Sequence, residues 1–311
     1  MDFIHNTQTF PSHTKNTDIF VQELAPADPT AVKGIIQIVH GMAEHSDRYI
    51  AVANYFCSRG YAVFMNDHAG HGKSVKSDDD NGYFADKDGW KCLVDDVYEV
   101  TKIARKAYPD KKLIIWGHSM GSFITRSYIA KYKNGADAAV VCGTSGANPG
   151  AAAGILIANL ICKIKGPKAK SEFINGLAFG SYNKKFKGNT GFEWLSVNEE
   201  NIRNYLDDPK CGFLFTASGY RDLFCVLSDV SKADWYRAVP KKMPIYLISG
   251  TDDPVGNYGK GVKEVYEKLL QTGHDNVAIK LYEGMRHEIH NEDKKDEVWD
   301  DIANFADSIV G

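Results

Sequence analysis

Short apolar runs alternate with longer amphipathic stretches along the first half of this chain. Residues 31–39 (AVKGIIQIV), 61–66 (YAVFMN), 112–116 (KLIIW) and 138–142 (AAVVC) are rich in aliphatic and β-branched side chains. Runs of this kind suit strands buried on both faces of a parallel sheet. Between them, near 47–58, 88–107 and 121–132, lie stretches of helical length and period. The alternation predicts βαβ units. DIFVQEL at 18–24 partly alternates polar and apolar positions and predicts an antiparallel edge strand leading in.

The pattern breaks over residues 144–235. This segment opens with Gly, Pro and Ala, runs through AAAGILIANLICKI, and holds the aromatic-rich pieces EFINGLAFGSYNKKF, FEWL and CGFLFTASGYRDLF. It contains no clear buried strand, which predicts a mostly helical insertion. Order resumes with a strand at 243–250 (MPIYLISG), a helix near 259–271, a strand at 276–282 (NVAIKLY) and a closing helix at about 293–310. The expected division is a core of residues 1–143 and 236–311, with residues 144–235 as a cap.

Composition removes several alternatives. With 311 residues, 43% of them hydrophobic, the chain can bury a large core, so disorder is a poor description. Acidic residues number 40 against 37 basic ones, and a net charge of -3 supplies no field to draw the chain to nucleic acid. The opening MDFIHNTQTFPSHTKNTDIF has neither a basic nor an apolar leader region, which makes a cytoplasmic address the expectation. AAAGILIANLICKI falls short of the roughly 20 residues of a spanning helix. The six cysteines are spread without a CxxC pair and read as reduced, mostly buried thiols.

Candidate chemistry starts at GHSMG, residues 117–121. It fits G-x-S-x-G, directly after an apolar strand and directly before a helical stretch, the context a nucleophile elbow requires. Small residues on both sides permit the sharp turn, and the helix N-terminus aims N–H groups at charge developing beside Ser119. A serine hydroxyl needs a base. Only His274, His287 and His290 lie downstream. His287 follows the strand NVAIKLY in the loop before the last helix and is the expected base, with His290 as an alternative. His274 precedes its strand and reads as an exposed loop histidine. After MPIYLISG comes TDDPVG, so Asp253, or as second choice Asp252, would orient the base from a strand's C-terminal end. A turn at Gly41, after GIIQIV, leaves the Met42 N–H free to join the Met120 N–H as an oxyanion donor.

Other constellations carry less. HEIH at 287–290 has its histidines three apart, where a helical zinc motif needs four. His68 and His71 in HAGHG read as packing and hydrogen-bonding groups. SDDDNG at 77–82 reads as a solvated turn. No metal or cofactor is called for.

HGMAEHSDRY, NDHAGHGKS, GHSMG, GTDDPV and GMRHE together resemble the monoacylglycerol lipase and lysophospholipase group of α/β-hydrolases, classed with serine aminopeptidase-like hydrolases. The likeness spans roughly residues 18–310. It implies a mostly parallel central sheet with helices on both faces and a helical cap inserted after the sixth strand. Carried over by position, it makes Ser119 nucleophile, Asp253 acid, His287 base, and Met42 and Met120 backbone donors, in agreement with the reading above. Met42 stands where the group usually has a small residue. The group's cap forms an apolar tunnel over the serine, for which Ile157, Leu160, Leu177, Phe179 and Phe213 are candidates. The implied partner is a small acyl ester, and Lys163, Lys165, Lys168 and Lys170 could guide the protein transiently to an anionic lipid interface.

Overall fold

The apolar runs become strands covered on both faces. The structure, a computed structural model, describes residues 2–311. Its strands are β1 (Phe3–Pro11), β2 (Asp18–Pro26), β3 (Gly34–Val39), β4 (Tyr61–Asn66), β5 (Leu113–His118), β6 (Ala138–Cys142), β7 (Ile245–Gly250) and β8 (Val277–Tyr282). They form one 8-stranded sheet in the order β1-β2-β4-β3-β5-β6-β7-β8. β1 and β2 pair antiparallel, as do β2 and β4, and every other pairing is parallel.

Among the described residues ten α-helices accompany the sheet: α1 (Ile50–Ser58), α2 (Gly89–Ala107), α3 (Met120–Lys131), α4 (Gly150–Lys165), α5 (Glu172–Phe179), α6 (Glu199–Asp207), α7 (Ala217–Ser231), α8 (Ala233–Ala238), α9 (Lys260–Gln271) and α10 (Lys295–Val310). The period-2 pleat sorts side chains between two cores. Along β5, Leu113 and Ile115 enter the core shared with α2, α3, α7 and α9, while Ile114 and Trp116 enter the one shared with α1 and α10. The architecture is therefore the expected mostly parallel sheet with helices on both faces, and α4–α8 form the helical insertion after the sixth strand.

Within the insertion, side-chain caps set the helix starts. Ser171 accepts from Ile174 N–H, Asn198 from Asn201 N–H and Thr216 from Gly219 N–H, each satisfying an otherwise orphaned donor. α7 is buried along most of its length and sends Val226, Leu227 and Val230 into the same core as α3. α4 crosses α7 closely: a Cβ on Gly154 would stand 2.7 Å from the Phe224 ring.

Two expectations change. DIFVQEL is antiparallel but not the edge, because β1 pairs along its whole length and covers it. β1 has no sequence signature, because its side chains are mostly exposed and no buried face marks it. His274 is buried rather than exposed: its ring nitrogens lie 3.0 Å from Leu269 O and 3.2 Å from Val239 O.

Candidate active site

Four parallel-strand ends supply the groups that sequence reasoning singled out. β5 runs straight into Ser119, whose backbone is held at φ 54° and ψ -122°, a sparsely populated region for a residue with a side chain. Its N–H donates to Cys142 O at 3.0 Å, which ties the turn to β6. The flanking glycines are required sterically. A Cβ on Gly121 would lie 2.0 Å from Val39 O, and one on Gly117 would lie 2.3 Å from Gly121 O.

β7 leads to Asp253 and β8 to His287. Both are buried, and His287 Nδ1 lies 3.0 Å from Asp253 Oδ1. The same carboxylate accepts from Ser249 Oγ and from Val255 N–H, each at 2.9 Å. Burial alone would raise the Asp253 carboxyl; the facing imidazole and these hydrogen bonds outweigh it and hold the group below the usual carboxylate range. Burial likewise opposes protonation of His287, yet the Asp253 charge prevails and raises the imidazole above its ordinary value. Asp252 is exposed. His290 is buried and stacked on Tyr49 at 5.0 Å, and among the described residues neither of its ring nitrogens has a hydrogen-bond partner.

β3 ends in the loop of Gly41 and Met42. A Cβ on Gly41 would come within 3.1 Å of Ser119 Cβ, so glycine is what lets this loop approach the serine. Among the described residues, neither the Met42 N–H nor the Met120 N–H has a protein acceptor. Ser119, His287, Met42 and Met120 all line one cavity of about 600 Å³, which runs under the insertion.

The insertion supplies most of the apolar wall. Ile157, Leu177, Phe179 and Phe213 line the cavity, together with Leu223 and Phe224 of α7. Leu160 does not: it is 57% exposed and shares an outward stripe with Leu156 and Ile164 at four-residue spacing. Gly150, Gly154 and Ile157 occupy the cavity-facing side of α4, whereas Leu160, only three residues past Ile157, is left on the solvent side by the way α4 lies against α7.

Several neighbours of these groups carry little local sequence signal. Trp194 covers His287 with ring centroids 5.2 Å apart. Arg48 joins three segments: Nη1 lies 2.8 Å from Glu44 Oε2, Nη2 lies 2.7 Å from Glu288 Oε2, and its guanidinium sits 4.9 Å from the Tyr205 ring. Glu44 in turn accepts from the Gly41 N–H at 2.6 Å. Burial favours the neutral acids, but Arg48 outweighs it for Glu288, and His118 with Arg48 outweighs it for Glu44, holding both well below the glutamate range. The i, i+4 spacing of Glu44 and Arg48 was visible; Glu288, 240 residues away, was not. Lys168 pairs with Asp80 at 2.7 Å and Lys170 bonds to Leu214 O at 3.1 Å, so half of the proposed basic patch is already engaged.

Fold and site together define a serine hydrolase of the α/β-hydrolase class. The chain belongs to the serine aminopeptidase, S33, family, whose pattern matches residues 30–294. It is similar to monoacylglycerol lipase from Mycolicibacterium smegmatis, with 25% identity over 279 residues and 89% of each chain covered. It is also similar to human monoglyceride lipase, with 28% identity over 273 residues, 84% of this chain and 77% of that one. Among solved structures, a thermostable carboxyl esterase from Bacillus coagulans in complex with glycerol superposes with a TM-score of 0.92 at 31% identity, covering 99% of both chains. No helix among the described residues is long and apolar enough to cross a membrane.

Proposed function

We propose that Ser119, His287 and Asp253 act as a catalytic triad that cleaves monoacylglycerol or lysophospholipid-like acyl esters through an acyl-enzyme. The observation that carries this reading is the Asp253–His287 hydrogen bond opening onto the same largely apolar cavity as Ser119. His287 takes the Ser119 proton as the hydroxyl attacks the ester carbonyl, while Asp253 holds the Nδ1–H tautomer and stabilises the imidazolium. The N–H groups of Met42 and Met120 receive the oxyanion; losing one such donor typically costs roughly 3 kcal/mol. His287 then protonates the departing alcohol, and water releases the acid by the reverse sequence.

Residues 144–235 serve in this reading as the cap that shelters the acyl chain. Each methylene buried against its wall contributes roughly 0.8 kcal/mol, which favours a chain of some length over a short acyl group. The relatives named as monoacylglycerol and monoglyceride lipases support the same choice. The outward stripe of Leu156, Leu160 and Ile164 on α4, beside exposed Phe173 and Leu177 on α5, provides an apolar face for transient contact with a lipid interface.

A series of p-nitrophenyl esters and monoacylglycerols from two to eighteen carbons, run beside a lysophospholipid and an aminoacyl-arylamide, tests the assignment. Rising kcat/KM into medium or long chains supports it. A maximum at two to four carbons would make the protein a short-chain carboxylesterase, and preference for the arylamide would make it a peptidase.

A further inference from the structure

Two histidines outside the triad grip the loop that bears Met42. His40 Nδ1 lies 2.8 Å from Gly41 O; a carbonyl can only accept, so this nitrogen carries the proton. His40 Nε2 accepts from the His68 N–H at 3.0 Å. His71 repeats the pattern. Its Nδ1 lies 3.1 Å from Ala69 O, and its Nε2 accepts from the Ala43 N–H at 3.2 Å. Both rings are buried, 5.1 Å apart, and His71 packs edge-on against Phe213 and Phe215 of the insertion. Burial pushes His40, His68 and His71 below the ordinary histidine value, which agrees with uncharged rings at neutral pH.

The consequence follows from peptide geometry. In the planar trans Gly41–Met42 unit, the Gly41 carbonyl and the Met42 N–H point in opposite directions. Anchoring that carbonyl on His40 therefore aims the N–H. The next plane is anchored by His71 through the Ala43 N–H, and Ala43 is held at φ 51°, a left-handed conformation that alanine rarely adopts unaided. Gly212 N–H closes the hold by donating to Ala43 O at 2.9 Å.

We infer that His40 and His71 are positioning residues for oxyanion stabilisation: as neutral acceptor-donor rings they lock two successive peptide planes so that the Met42 N–H faces the reacting carbonyl. The inference rests on the reading of that N–H as an oxyanion donor. Neither ring touches the reacting atoms. Their effect is realised where charge develops on the carbonyl oxygen, which is in the transition state, so it belongs in kcat rather than in KM.

The experiment compares His71→Phe, which keeps an aromatic ring but removes the acceptor, with His71→Gln, whose Oε1 can accept from the Ala43 N–H. Hydrolysis by the wild type, abolished in Ser119→Ala, tests the underlying reading separately. Given that activity, His71→Phe should lower kcat about 10- to 100-fold with KM changed less than about threefold, and His71→Gln should recover most of the loss. A folded His71→Phe protein with kcat within about threefold of wild type, or a His71→Gln protein equally impaired, overturns the inference. A second measurement needs no variant to fold. Two-bond proton–nitrogen correlation spectra of the wild type at neutral pH should show both rings as Nδ1–H tautomers; an Nε2–H tautomer or an imidazolium at either position overturns it.

Discussion

His287 meets Asp253 through Nδ1 at 3.0 Å, while its buried Nε2 has no hydrogen-bond partner among the described residues and stands beside the cavity that Ser119 also lines. In the proposed triad one nitrogen is committed to orientation and the other is the one that would transfer the proton. An unpaired buried nitrogen is costly in a structural role and useful in a catalytic one.

Removing the serine tests that division. Ser119→Ala should lower turnover of a p-nitrophenyl ester by at least ~10³-fold with the circular dichroism spectrum and melting temperature retained. Labelling by a fluorophosphonate probe should disappear with it. Near-normal turnover in the folded variant would remove Ser119 from the mechanism.

The pH profile carries the second expectation. Only the neutral imidazole can accept the serine proton, so kcat/KM should fall on the acid side as His287 gains its proton. Because Asp253 raises the His287 pKa, that limb should lie above the ordinary histidine value. Asp253→Asn should move the limb to lower pH and reduce kcat severely. A limb unmoved by this substitution would show that another group governs the titration.

Arg48 makes a stability prediction. Its loss in Arg48→Met leaves Glu44 and Glu288 buried without their shared cation, at a cost of about 3–5 kcal/mol measured by urea unfolding. Both carboxyls have folded pKa values below their unfolded ones. Their contribution is therefore complete above the ordinary glutamate range and is lost as pH falls below it. The wild type should lose stability through that acid window more steeply than Arg48→Met, and equal slopes would contradict the pairing.

The insertion makes the last two. Ile157→Trp fills part of the cavity wall and should lower kcat/KM for a dodecanoyl ester about tenfold or more relative to a butanoyl ester, as loss of two or so buried methylenes implies. Replacing Leu156, Leu160 and Ile164 by serine should leave hydrolysis of a soluble short ester unchanged and weaken sedimentation with anionic vesicles. Equal binding by the two proteins would locate the lipid contact elsewhere.

Much of the architecture was legible because it depends on local period and local turn chemistry. GIIQIV, YAVFMN and LIIWGH lie between helical stretches, and doubly covered strands have to be apolar on both faces. GHSMG was readable because a strand-to-helix turn tolerates no Cβ at Gly117 or Gly121. Chain order and the positions after two strands then pointed to Asp253 and His287, with Asp252 and His290 as second choices. β1 left no comparable mark, since a solvent-facing strand held by main-chain bonds to β2 needs no apolar side.

What only the tertiary structure decided are the relations between distant segments. Nothing local distinguishes Leu160 from Ile157 as a cavity residue, because the choice depends on how α4 turns against α7. Lys168 looks free until Asp80 is brought beside it. The grip of Arg48 on Glu288, and of His71 on Ala43, likewise exists only after the sheet has carried those loops together. Sequence period records which face of an element is buried; it holds no record of what that face meets, because the partner is chosen by packing of the whole chain.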